Sequence, residues 1–157
     1  MIEREFIHII RDILHNPAFR RMKAYRHHVK GSVYDHSLRV AYLCYRHAKK
    51  HSARVPMDEL VRAALLHDYY LYDWHDRKKG TRLHLFTHPR AALENALRDY
   101  PEITAAQRDA IRHHMFPITP IPPRTRMGWL ICYYDKIAAL CDYFGKNKWK
   151  ARQAARA

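Results

Sequence analysis

Apolar residues recur along most of this chain at intervals of three and four, the spacing of one face of an α-helix. Over Glu3 to Leu14 they fall at Phe6, Ile9, Ile10, Ile13 and Leu14, and Asn16-Pro17 ends the pattern. Residues 18–31 are basic and less regular. A second helix is predicted over about Val33 to Lys50; its stripe is Val33, Val40, Leu43 and Cys44, with His36 on the same face. Pro56 fits the first turn of a third helix, and Asp58 and Glu59 suit its positive end. That helix runs through the apolar stretch from Leu60 to Leu66 into His67-Asp68. From Tyr69 to Thr87 the chain is aromatic and aperiodic, which reads as a packed loop rather than a linker. Thr87 is placed to cap a fourth helix, with Pro89 in its first turn and His88 at its mouth. Thr104-Ala105-Ala106-Gln107 spells a capping box for a fifth helix that continues to His113-His114. A sixth is expected over about Thr125 to Phe144, with Gly145 as its C-cap and with Gly128, Ile131, Asp135 and Asp142 on one face. The tail from Lys146 to Ala157 continues helical propensity with a basic face. Strand patterns are absent, so the expected fold is all-α, a bundle of about six or seven helices.

Length and composition narrow this further. A chain of 157 residues with 48 % hydrophobic content is expected to form one domain over residues 1–157, with a single core. No apolar run approaches the roughly twenty residues of a membrane span. The start, Met1-Ile2-Glu3-Arg4-Glu5-Phe6, is acidic and amphipathic, unlike a signal peptide. Cys44, Cys132 and Cys141 are an odd number set in apolar helical pattern; they read as reduced core residues of a cytoplasmic protein. The net charge of +14 favours anionic partners: phosphorylated small molecules, nucleotides or nucleic acid. A helical nucleic-acid binder would gather its Lys and Arg on one face, and only the tail from Lys146 to Arg156 clearly does so.

The candidate chemistry lies on the apolar faces. His36, His67, Asp68, His88, His113, His114 and Asp135 sit on those faces or at helix ends beside them. Polar groups there are costly unless something pairs with them, and several imidazoles packed beside desolvated carboxylates are hard to keep both buried and neutral. A cation resolves the conflict. Imidazole plus carboxylate without thiolate suits one or two divalent ions of Fe, Mn, Zn, Co or Ni, and Asp68 is the natural bridge between two.

His36, the adjacent His67-Asp68, His88, His113-His114 and Asp135, in that order on helices, resemble the HD-domain superfamily of metal-dependent phosphohydrolases. The phrases Val33-Tyr34-Asp35-His36-Ser37-Leu38-Arg39-Val40-Ala41, Ala64-Leu65-Leu66-His67-Asp68, Phe86-Thr87-His88-Pro89 and His114-Met115-Phe116-Pro117 are similar to small single-domain bacterial HD proteins. The resemblance spans roughly Ser32 to Leu140. It implies one metal on His36, His67, Asp68 and Asp135, and a second on His88 and His114 with His113 as a further ligand. It implies a phosphomonoesterase or phosphodiesterase that works through a metal-activated water, with Asp68 and His67 at the reacting centre and a nucleotide or other small phosphorylated substrate. His28 matches an upstream His of relatives and is a candidate substrate contact. Leu71 stands where several HD enzymes carry a phosphate-binding Lys, and the Gly-Tyr-Pro segment of the cyclic-dinucleotide branch is missing.

The phosphate clamp is therefore open among Lys78, Lys79, Arg82, Arg90, Arg124, Arg126 and Lys136. Arg82 and Arg124 are expected in loops overhanging the site, and Lys136 is expected to point away from it. His84 is a further candidate substrate contact, lying just ahead of the His88 segment. Tyr69, Tyr70, Tyr72 and Trp74 read more readily as core than as a base-stacking platform. The competing functions are a basic nucleic-acid-binding protein and an HD module that senses a ligand without catalysis.

Overall fold

The computed structural model describes residues 3–27, 31–52, 54–75 and 83–143. The described residues form helices and no strand: α1 (Arg4–His15), α2 (Pro17–Arg20) with a 3-10 turn (Arg21–Ala24), α3 (Val33–His51), α4 (Met57–Leu66), α5 (His84–Asp99), α6 (Ala105–His113) and α7 (Arg126–Tyr143). The all-α expectation holds. No helix among them is long and apolar enough to cross a membrane.

α4 explains the layout. Leu60, Val61, Ala63, Ala64, Leu65 and Leu66 are all buried, so the helix is apolar almost all round and has to be covered on every side. It packs against α1, α3, α5, α6 and α7, most extensively against α3. Phe6, Ile10 and Ile13 of α1 close one flank, and Leu38, Ala41, Cys44 and Tyr45 of α3 another. The end of α4 therefore opens into the middle of the bundle, and the next two residues, His67 and Asp68, are both buried there.

Local signals set most helix starts. Ser32 Oγ accepts from the Asp35 N–H at 3.2 Å while Asp35 Oδ2 accepts from the Ser32 N–H at 3.3 Å, so α3 opens on a capping box. Thr104 and Gln107 repeat the device at α6. At α7 the Thr125 hydroxyl accepts from the Gly128 N–H at 3.1 Å.

Two expectations are corrected. Residues 18–24, part of the stretch expected to be less regular, are helical, because Asn16 Oδ1 caps the Ala18 N–H at 2.8 Å and Pro17 occupies the first turn. α5 starts at His84 rather than after Thr87: the Thr87 hydroxyl donates to the Leu83 carbonyl at 3.1 Å instead of capping. His88 and Pro89 thus lie a full turn inside the helix. Phe144, Gly145 and the tail from Lys146 lie outside the described residues.

Candidate metal centre

Five elements bring their functional side chains together. His67 and His114 each come directly after the last residue of a helix, α4 and α6 respectively, where carbonyls lack intrahelical partners. Each ring turns back onto one of these. His67 Nδ1 meets the Ala64 carbonyl and His114 Nδ1 the Ile111 carbonyl, both at 2.8 Å. His88 does the same within α5, its Nδ1 lying 2.8 Å from the His84 carbonyl. A carbonyl only accepts, so all three Nδ1 atoms carry hydrogen and the three Nε2 atoms point inward.

Asp68 is the hub. Its Oδ1 lies 3.2 Å from His88 Nε2 and 3.4 Å from His114 Nε2. Its Oδ2 lies 3.3 Å from His27 Nε2, 3.6 Å from His67 Nε2 and 3.9 Å from His36 Nε2. Asp135, from α7, completes the second side, with Oδ1 at 2.9 Å from His36 Nε2 and 3.5 Å from His67 Nε2. Three candidate ligand groups result among the described residues; His36–His67–Asp68–Asp135 and Asp68–His88–His114 share the Asp68 carboxylate, and the third, His27–His36–Asp142, lies on the far side of the His36 ring.

This donor set fits a metal. His88 Nε2 and His114 Nε2 face each other at 3.0 Å, and with both Nδ1 atoms protonated that contact requires a proton or a cation between two lone pairs. His67 Nε2 and Asp68 Oδ1 are buried with no hydrogen-bond partner among the described residues. The negative ends of α4 and α6 point at the same place, which favours positive charge there.

The electrostatics agree. Burial alone would raise the Asp68 carboxyl, but the His67 charge and contacts from His114, His27 and His88 hold it well below the usual carboxylate range. Asp135 is likewise held low against its burial by His36 and His67. Burial would lower His36, yet the carboxylates of Asp135 and Asp142 push it up to about 9. Burial pulls His114 down, whereas for His88 the Asp68 carboxylate outweighs burial and raises it.

A cavity of about 240 Å³ opens onto the centre. Asp68, His88, Asp135 and Lys136 line it together with Tyr70, Trp74, Leu85, Met115 and Ile118. Lys136 was expected to point away; instead its ammonium reaches into the wall and donates to the His114 carbonyl at 3.0 Å. His84 lines the cavity, stacked on Trp74 and hydrogen-bonded to the Tyr72 hydroxyl at 3.0 Å.

Other candidates fall elsewhere. His113 belongs to none of these groups: it faces Asp109, with Nδ1 at 2.9 Å from Oδ1, because a residue at the end of α6 cannot share the direction of its neighbour His114. Arg124 is exposed and does not line the cavity; its backbone N–H donates to Asp109 Oδ2 at 2.8 Å. Arg90 pairs with Glu94 on the surface. His28, Lys78, Lys79 and Arg82 lie outside the described residues. The aromatic stretch is divided: Tyr69 is fully buried in the core, whereas Tyr70 and Trp74 reach the cavity.

His27, Arg39 and Asp142 join the centre without having stood out in the sequence. His27 stacks on His36 with centroids 3.7 Å apart. Gly31, at φ +95°, takes a conformation a side chain would resist, and its carbonyl accepts from the His27 N–H at 3.2 Å, which holds His27 beside α3. The His27-His28 pair was the available signal, and for Asp142 it was a second Asp on the face of α7 that carries Asp135.

No curated protein and no solved structure gives a match to the chain. The HD domain family does match, over residues 33–144, a span that holds every member of the two ligand groups that share Asp68. Family and geometry coincide on the same His and Asp residues, and the chain belongs to the HD-domain family.

Proposed function

We propose that the protein is a metal-dependent phosphohydrolase acting on a small phosphorylated substrate, a phosphomonoester or phosphodiester such as a nucleotide. The observation that carries this reading is the pair of ligand groups joined through Asp68, of which Asp68, His88 and Asp135 line a cavity of about 240 Å³. His36, His67, Asp68 and Asp135 would hold one divalent ion, and Asp68, His88 and His114 a second, of Fe, Mn, Zn, Co or Ni. Bound there, such ions supply Lewis acidity, drawing charge from phosphoryl oxygens and making water a better nucleophile near neutral pH.

The chain's own groups do the rest. The carbonyl contacts of His67, His88 and His114 fix their tautomers, so the ligand atoms are ready before an ion arrives. Lys136 brings a positive charge to the cavity wall, suited to an anionic phosphoryl group, and so takes the part left open by Leu71. Tyr70 has a buried hydroxyl with no hydrogen-bond partner among the described residues; burial holds its pKa well above the usual value, which keeps it a donor. Leu85, Met115 and Ile118 give the cavity apolar lining that suits the carbon skeleton of the ester.

The test is elemental analysis of protein purified without chelator, followed by phosphatase and phosphodiesterase assays with the ion found. One to two equivalents per chain, lost together with activity in Asp68→Ala, is the expected result. An Asp68→Ala variant with full activity would refute the reading.

A further inference from the structure

Three imidazoles of the centre are held alike, each by a backbone carbonyl at 2.8 Å from Nδ1. His36 is the exception. Its Nδ1 faces the Asp142 carboxylate, with Oδ2 at 3.5 Å, while its Nε2 lies 2.9 Å from Asp135 Oδ1. The other oxygen of Asp142 takes a hydrogen bond from the Arg39 guanidinium. Asp142 is 3 % exposed and Arg39 7 %, so this ion pair is inside the protein. His36 and Arg39 stand one turn apart on α3, and Asp135 and Asp142 two turns apart on α7. The result is a ladder between two helices: Arg39 to Asp142, Asp142 to His36, His36 to Asp135.

We propose that Asp142, held by Arg39, is a positioning residue for His36, fixing its ring and strengthening Nε2 as a metal ligand. The inference rests on the metal reading above. A carbonyl offers Nδ1–H a dipole, but a carboxylate offers a full charge, and an imidazole backed by a carboxylate is the stronger donor through its other nitrogen. Arg39 has its own part. It binds one oxygen of Asp142, leaves the second for His36, and offsets a negative charge that would otherwise be buried beside His36. The ladder also ties the His36 ring to α7, the helix that carries Asp135. These two ligands then move together although they come from different helices.

A pair that only fastened α3 to α7 would behave differently, and two variants separate the cases. Asp142→Asn keeps the shape and an acceptor but removes the charge. The double variant Arg39→Met/Asp142→Leu removes both charges at once, a replacement that often leaves stability unchanged or improved. Mn²⁺ binding by the whole chain is measured by equilibrium dialysis, with thermal melts in chelator alongside. Asp142→Asn is expected to weaken binding of one equivalent by about 10- to 100-fold, the usual effect of losing a group that orients a ligand, and to spare the other equivalent. The double variant is expected to melt like the parent or higher and still bind that equivalent weakly. Parent-like affinity in either variant would overturn the inference and leave the metal reading standing. A parent chain that binds no Mn²⁺ would overturn both.

Discussion

Gly128 tests whether the position of α7 sets the metal centre. A Cβ built on Gly128 would lie 2.6 Å from Pro123 Cβ, 3.4 Å from Thr125 Oγ1 and 3.5 Å from Ala110 Cα. Carbon pairs settle at about 3.5–4.0 Å, so Gly128→Ala has to open the contact with Pro123 by roughly 1 Å. Pro123 cannot swing its ring aside, and overpacking of this kind costs about 1–3 kcal/mol, here toward the upper end. Against it stands the helix preference of Ala over Gly, about 1 kcal/mol in the opposite direction. The net expectation is a loss of about 1–2 kcal/mol, or roughly 2–8 °C of melting temperature for a domain of this size. Function is expected to suffer more. Asp135 lies on the same face of α7 two turns on, and misplacing a reacting group by about 1 Å costs on the order of a hundredfold in rate. Thermal melts of Gly128→Ala read the first effect, and Mn²⁺ dialysis with a phosphohydrolase assay reads the second. If the variant is as stable as the parent and binds the ion equally well, the contact is soft and α7 does not set the site.

Further outcomes are expected. His88→Ala removes a ligand from only one of the two groups, so metal content should fall to one equivalent while the other persists; an unchanged count would argue for a single ion. His113→Ala should leave metal uptake untouched, since that ring pairs with Asp109, and a lost equivalent would place it back at the centre. Stability of the chelated protein should depend on pH in a defined way. His36 is raised to about 9 from 6.5, so its contribution is complete below about pH 6.5 and is lost as pH rises through 9. Asp142 is lowered to about 2 from 3.8 by His36 and Arg39, which outweigh its burial; its contribution is present above about pH 4 and lost as pH falls through 2. Melting temperature in chelator should therefore decline from pH 6.5 to 9 and do so far less with Mn²⁺ present, because an ion takes the place of the His36 proton. A chelated protein that grows steadily more stable over that range would contradict this assignment.

Two features of the linear pattern determined most of the architecture. Apolar spacing and end signals located the six longer helices, and the Thr104 capping box fixed the start of α6 to the residue, because periodicity and capping act within a turn or so of chain. The same locality made the ligand rows legible: a His or Asp on an apolar face announces itself whatever packs against it. It also explains the misplaced start of α5, where Thr87 had two local uses for its hydroxyl and the pattern suggested the wrong one.

Only the tertiary structure decided what each of those residues faces. His113 and His114 are adjacent in sequence, and the rotation of α6 against its neighbours sends one to Asp109 and the other to Asp68. His36 meets Asp135 across 99 residues, and Arg39 meets Asp142 across 103. No local rule carries over such distances. Which atoms share a site depends on how α3, α4 and α7 stack around the buried Leu60–Leu66 segment, and that is settled by side-chain packing across the whole core.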